Sequence, residues 1–129
     1  MVAIGPVVDV ERRSALAQLV ALGLDTLREP PSTNVILVTD YLRCGIPWYL
    51  VQLRHMLAFP LESRVAAMAA PLLVVRGRHD PVARLGWTRM LRARAARGSL
   101  VEIPGRAHSA HHAAPRAVAA AVLDHVSRW

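Results

Sequence analysis

The tightest apolar run in the chain is Leu72 to Val75, unbroken, β-branched at its end and closed by Arg76-Gly77. A run that short reads as a strand buried on both faces of a parallel sheet. Leu100, Val101 and Ile103 read as a second strand. Val2-Ala3-Ile4, ended by Gly5-Pro6, reads as a third.

Elsewhere apolar residues return at helical spacing. Asp9 is placed to cap a helix that runs from Glu11, with Ala15, Leu16, Leu19, Val20, Leu22, Leu24 and Leu27 recurring along it. Glu29-Pro30-Pro31-Ser32 ends that helix, because proline removes a donor and restricts the residue before it. Val35, Ile36, Val38, Leu42 and Ile46 share a broad apolar face, and the capping types Ser32, Thr33 and Asn34 favour helix over strand there. Pro47 opens a helix that is apolar on more than half its circumference, and Pro60 starts a short turn with Val65 and Met68 facing in.

The last third reads more sharply. Arg84 to Ala96 is predicted helical, with Leu85, Trp87, Met90 and Leu91 inside, its arginines outside and Gly98 as a stop. Together with the strands on either side it makes a βαβ unit. Pro115 to Val126 is a closing amphipathic helix with Val118, Ala121, Val122, His125 and Val126 on its inner face.

Composition narrows the class. The 129 residues are 53% hydrophobic and suit a single globular domain, and no apolar run approaches the ~20 residues of a membrane span. The opening residues have neither the basic nor the apolar region of a secretory leader, and the lone Cys44 rules out an internal disulfide, so a cytoplasmic location is expected. The formal charge is +7, from sixteen arginines and no lysine. Those arginines are scattered and not interleaved with aromatic residues, so no nucleic-acid partner and no membrane surface is expected.

The chemistry sits at the ends of two predicted strands. Asp80 follows the first, and His108 follows the second 28 residues later. Catalytic groups of open α/β sheets gather at the carboxyl ends of strands. An acid followed by a histidine, each on such a loop, makes two thirds of a Ser…Asp…His triad.

Around them stand Arg76-Gly77-Arg78-His79-Asp80-Pro81-Val82, then Trp87, then Val101-Glu102-Ile103-Pro104-Gly105-Arg106-Ala107-His108, then Pro115 with Val118 to Val122. This stretch resembles the C-terminal half of an α/β-hydrolase, closely from Pro71 to Val126. More loosely, Ala3-Ile4-Gly5-Pro6 resembles the strand after the nucleophile helix. The resemblance implies an α/β fold: a partial α/β-hydrolase of about three parallel strands with flanking helices. Residues 9–68 would be a helical, cap-like segment, and residues 71–129 a β-α-β-α core, within one truncated domain spanning 1–129. It implies that Asp80 orients His108 and stabilises its imidazolium, and that His108 is general base and then general acid toward a serine.

That serine has no counterpart. None of Ser14, Ser32, Ser63, Ser99, Ser109 and Ser127 lies on a Gly-x-Ser-x-Gly elbow, and Cys44 does not fit either. The family's elbow would lie upstream of Val2. The expectation is a truncated frame, a degenerate copy or the second half of a split enzyme. Alone, it would be inactive, marginally soluble or self-associating, because Val2 to Ile4 would be an inner strand left without its neighbour.

Two other groupings invite a reading. His108-x-x-His111-His112, with Asp80, has metal-ligand types, but it lacks the His-Glu-x-x-His pattern, and neither a metal nor a cofactor is expected. Tyr41, Trp48, Tyr49, Met56 and Phe59 suit either an apolar substrate pocket or helix packing. The expected activity is thus an esterase-like hydrolysis of a small apolar substrate. The expected partners are that substrate and either a separate N-terminal half or a second copy. The alternative is a non-enzymatic α/β protein or interaction module whose hydrolase-like residues are relics.

Overall fold

Every residue of the strand β2, Leu72–Gly77, is buried. It is the middle strand of a three-stranded parallel sheet of order β1-β2-β3 in the computed structural model, which describes residues 1–128. β1 is Val2–Ile4 and β3 is Gly98–Ile103. Val2 stands opposite Leu73, and Val74 opposite Leu100.

The pleat sends alternate residues of β2 to opposite faces. Leu72 and Val74 pack with Val65, Trp87, Leu91 and Ala95 on one side. Leu73 and Val75 pack with Ile103, Ala110 and Val118 on the other. Each such side chain contributes roughly 1.5–3 kcal/mol on burial, so this strand and its two helical covers anchor the fold. The covers are α4 (Leu61–Ala66) with α5 (Leu85–Arg94) on one face, and α6 (Ala110–Ala113) with α7 (Pro115–Ser127) on the other.

Between β1 and α4 lie a 3-10 turn at Val10–Arg12 and three helices: α1 (Ala15–Thr26), α2 (Pro31–Cys44) and α3 (Ile46–Ala58). No helix among the described residues is long and apolar enough to cross a membrane. Asp9 caps the 3-10 turn through the Glu11 N–H, and α1 starts later than predicted, capped by Ser14. Gly98 is the first residue of β3 rather than a helix stop, and α5 ends at Arg94.

The largest departure from the sequence reading is the orientation of α1. Its apolar stripe faces outward: Leu16 is 71% exposed, Leu19 68% and Leu27 83%. Gln18, Ala21 and Asp25 are the buried side. The shared face predicted for α2 is likewise exposed at Val35, Leu42 and Ile46, and Val126 of α7 lies outside its inner face.

Trp87 ties α5 to the loop after β1. It is buried, and its indole N–H donates to the Pro6 carbonyl at 2.9 Å. Replacing it with phenylalanine strands that carbonyl and leaves a small void. The expected loss is about 1–3 kcal/mol in a denaturant melt, and an unchanged midpoint would contradict it.

Candidate active site

β2 is too buried to end in solvent without help, and a buried arginine supplies it. Arg76 Nε donates to the Ala83 carbonyl at 2.7 Å, and its Nη2 donates to the carbonyls of Asp80 and Arg78 at 3.2 and 3.3 Å. Nη1 pairs at 2.6 Å with Glu102, its register partner on β3. One guanidinium therefore gathers the carbonyls of the whole turn that carries Asp80.

Within that turn Asp80 makes three bonds. Its Oδ1 accepts from the N–H groups of Val82 and Ala83, both at 2.8 Å. Its Oδ2 lies 2.9 Å from Nδ1 of His108. The carboxylate is fully buried, whereas the imidazole keeps 20% of its surface exposed. Among the described residues none hydrogen bonds the other ring nitrogen, Nε2. This is the arrangement in which a carboxylate fixes the tautomer of a histidine and leaves Nε2 to exchange protons.

Two backbone features bring the loops together. Gly77 packs directly against the carbonyls of Arg106 and Ala107, leaving no room for a Cβ. The His79 N–H then donates to the Arg106 carbonyl at 2.9 Å, stitching the acid loop to the histidine loop. At the end of β1, Gly5 has φ 55°, and a Cβ there would stand 3.0 Å from Cε1 of His108. The imidazole leans over that strand end.

The loop of His108 is also held from the helical side. Asp25 Oδ1 accepts the His108 N–H at 2.9 Å, and Glu29 Oε1 accepts the Ser109 N–H at 2.6 Å. Arg28 donates to the His79 carbonyl at 3.0 Å. Burial pushes the His108 pKa down, but the bond to Asp80 and the charges of Asp80, Asp25 and Glu29 outweigh it and leave it above 6.5. Burial raises Asp25 above the usual carboxylate range. The His108 N–H bond and charge oppose that rise, and the Glu29 and Asp80 charges add to it.

Asp80 and His108, the two residues expected from the sequence, are thus brought together. Arg76, Asp25 and Glu29 are additions. A charged residue closing a doubly buried strand was one available signal, and two acids four apart on an apolar helix were another. Ser109 is buried as the N-cap residue of α6, its N–H taken by Glu29. His111 and His112 are exposed, and no three His, Cys, Asp or Glu side chains among the described residues are grouped to hold a metal.

Of the aromatic set, Tyr41 and Tyr49 meet edge to face at 5.1 Å and help line a cavity of about 390 Å³ between α1, α2 and α3. Asp25 reaches the wall of that cavity. Met56 and Phe59 line a separate cavity with Val7 and Val8, and Trp48 is largely exposed.

Comparison with known proteins follows the same line. A family model described as TAP-like protein matches residues 55–128, more than half of the chain. No curated protein sequence matches significantly. The structure is similar to 2-hydroxy-6-oxo-6-phenylhexa-2,4-dienoate hydrolase from Rhodococcus sp. strain RHA1, with TM-score 0.54 and 17% identity over 75% of this chain and 38% of that one. It is also similar to a hydrolase from Pseudomonas aeruginosa, with TM-score 0.52 and 23% identity over 91% of this chain and 48% of that one. The chain spans less than half the length of either solved structure, and at these identities the likeness is one of fold.

Proposed function

The chain belongs to the TAP-like family of α/β-hydrolases, and on that premise we propose that it carries the acid and base of a Ser-Asp-His triad. The reaction is hydrolysis, in the cytoplasm, of an ester or similar bond in a small apolar substrate. The 2.9 Å contact between a buried Asp80 carboxylate and the partly exposed His108 ring carries this reading. Asp80 holds the proton on Nδ1, Nε2 takes the proton of the attacking serine, and the imidazolium returns it to the leaving group.

The serine comes from a segment outside these 129 residues, so the chain alone is inactive. The lean of His108 over the end of β1 supports a nucleophile arriving beyond that strand. Among the described residues β1 is an edge strand, paired with β2 alone, and can pair with one more strand. The exposed apolar side chains of α1 to α3 support a companion half that covers them. The cavity between those helices is of a size and lining that suit an apolar substrate group.

The test is cleavage of a p-nitrophenyl ester. The chain by itself is expected to match its His108→Ala variant. The enzyme completed by the serine-bearing segment is expected to turn over and to lose that activity with the same substitution. Because the base must be neutral, the rate of the completed enzyme rises with pH through a midpoint above 6.5, following the raised imidazole. A completed enzyme indifferent to His108→Ala sinks the reading, and so does a rate with no pH dependence in that window.

A further inference from the structure

The buried side of α1 carries Gln18 and Asp25 around Ala21 while its large apolar residues Leu16, Leu19, Val20 and Leu24 are exposed, the reverse of an ordinary surface helix. That inversion needs a cause on the buried side. Asp25 and Glu29 stand four apart, and both are buried. They take the N–H groups of two consecutive residues, His108 and Ser109, which lie 83 and 80 positions away in sequence. Arg28, between them, reaches the other loop at the carbonyl of His79, next to Asp80. One short stretch of chain thus touches both catalytic loops at backbone atoms.

Hydrogen bonds from backbone N–H groups to buried carboxylates are charge-assisted and directional. Two of them in succession fix the plane of the chain at His108. The ring is then free to turn only about its own side-chain bonds, and Oδ2 of Asp80 lies where Nδ1 falls. We propose that Asp25 and Glu29 are positioning residues that hold the His108 backbone in register with Asp80. This rests on the hydrolase reading for its purpose, and on the geometry alone for its mechanics. The charges facing the ring are those of Asp80 from the loop after β2, of Asp25 from the end of α1 and of Glu29 from the turn that follows it. Neither Asp25 nor Glu29 bonds to the ring.

The test uses the resting protein, labelled at histidine for nitrogen NMR, with amide hydrogen exchange at His108 and Ser109. In the double variant Asp25→Ala/Glu29→Ala both amides are expected to exchange about tenfold to a hundredfold faster. The Nδ1 proton signal of His108 broadens or is lost, and its titration midpoint falls. In Asp25→Asn/Glu29→Gln the acceptors remain, so exchange returns to within a few-fold of the parent. The charges are gone, so the midpoint still falls.

A purely structural role for the two acids would lower the melting temperature while leaving the Nδ1 proton, the midpoint and the two amides of the folded molecules unmoved. That result overturns the proposal. If the double alanine variant does not fold, the single variants Asp25→Ala and Glu29→Ala decide, and an amide that still exchanges at the parent rate after losing its acceptor is likewise fatal. None of these signals needs turnover. A protein that never hydrolyses an ester can still show them, and an active enzyme can still lack them.

Discussion

Asparagine in place of Asp80 is expected to lower kcat of the completed enzyme about 10³–10⁴-fold, with the fold retained. The substitution is nearly isosteric, and the amide oxygen can keep the bonds that Oδ1 makes to the N–H groups of Val82 and Ala83. What changes is the atom facing Nδ1. An amide NH₂ in the place of Oδ2 donates where a carboxylate accepted, so the ring must put its proton on Nε2. That nitrogen then has no lone pair for the serine proton, and the imidazolium loses its counter-charge as well.

The change also has a signature in stability. The folded pKa of His108 is raised above 6.5. Its contribution to stability is therefore fully present below pH 6.5 and is lost as pH rises through the folded value. Asp80→Asn should then destabilise most in acid, with the gap to the parent closing at higher pH. The rate penalty, by contrast, is greatest at the alkaline plateau, where the parent base is neutral. Paired melts and rate profiles across that range check both halves. A variant that retains the parent rate at the plateau would show that the Asp80 carboxylate does not orient the base.

How much of this was legible beforehand follows the physics of each element. The unbroken run at Leu72 to Val75 could only be a doubly buried strand, and α5, β3 and α7 followed because their partners are near in sequence. The meeting of Asp80 and His108 was legible because both loops leave the same end of one parallel sheet. The facing of α1 was not legible. Periodicity locates the apolar stripe of a helix, but it does not say which side is buried when polar groups on the other side bind loops some 80 residues away. The role of Arg76 was only partly legible, since apart from the Glu102 carboxylate its partners are carbonyls, which no residue type announces. The apolar surface left open on α1 to α3 fits a chain that spans under half of its structural neighbours.

A methyl group at Gly77 is the sharpest probe of how the two loops share one end of the sheet. Alanine there would set its Cβ 2.0 Å from the Ala107 carbonyl oxygen and 2.4 Å from that of Arg106. Both obstacles are backbone, and both belong to the histidine loop, so no rotamer change can relieve the clash. The loop must back away by roughly the difference between that distance and an ordinary carbon contact of ~3.5 Å. It is tethered against such a move by the bonds from His79 N–H to Arg106 and from Arg78 N–H to Ile103, both 2.9 Å. Overpacking at a rigid site costs about 3 kcal/mol or more, and here it also draws His108 from Asp80.

Gly77→Ala is therefore expected to lower stability and, in the molecules that remain folded, to abolish hydrolysis and the Nδ1 proton signal. Gly98→Ala is the control. Its Cβ would meet the Arg92 carbonyl at 2.2 Å, a clash as severe but at the opposite end of β3. It should destabilise to a similar degree while leaving the rate per folded molecule unchanged. If the two variants lose activity only in proportion to their unfolded fraction, close packing at Gly77 serves folding alone and does not place the base against the acid.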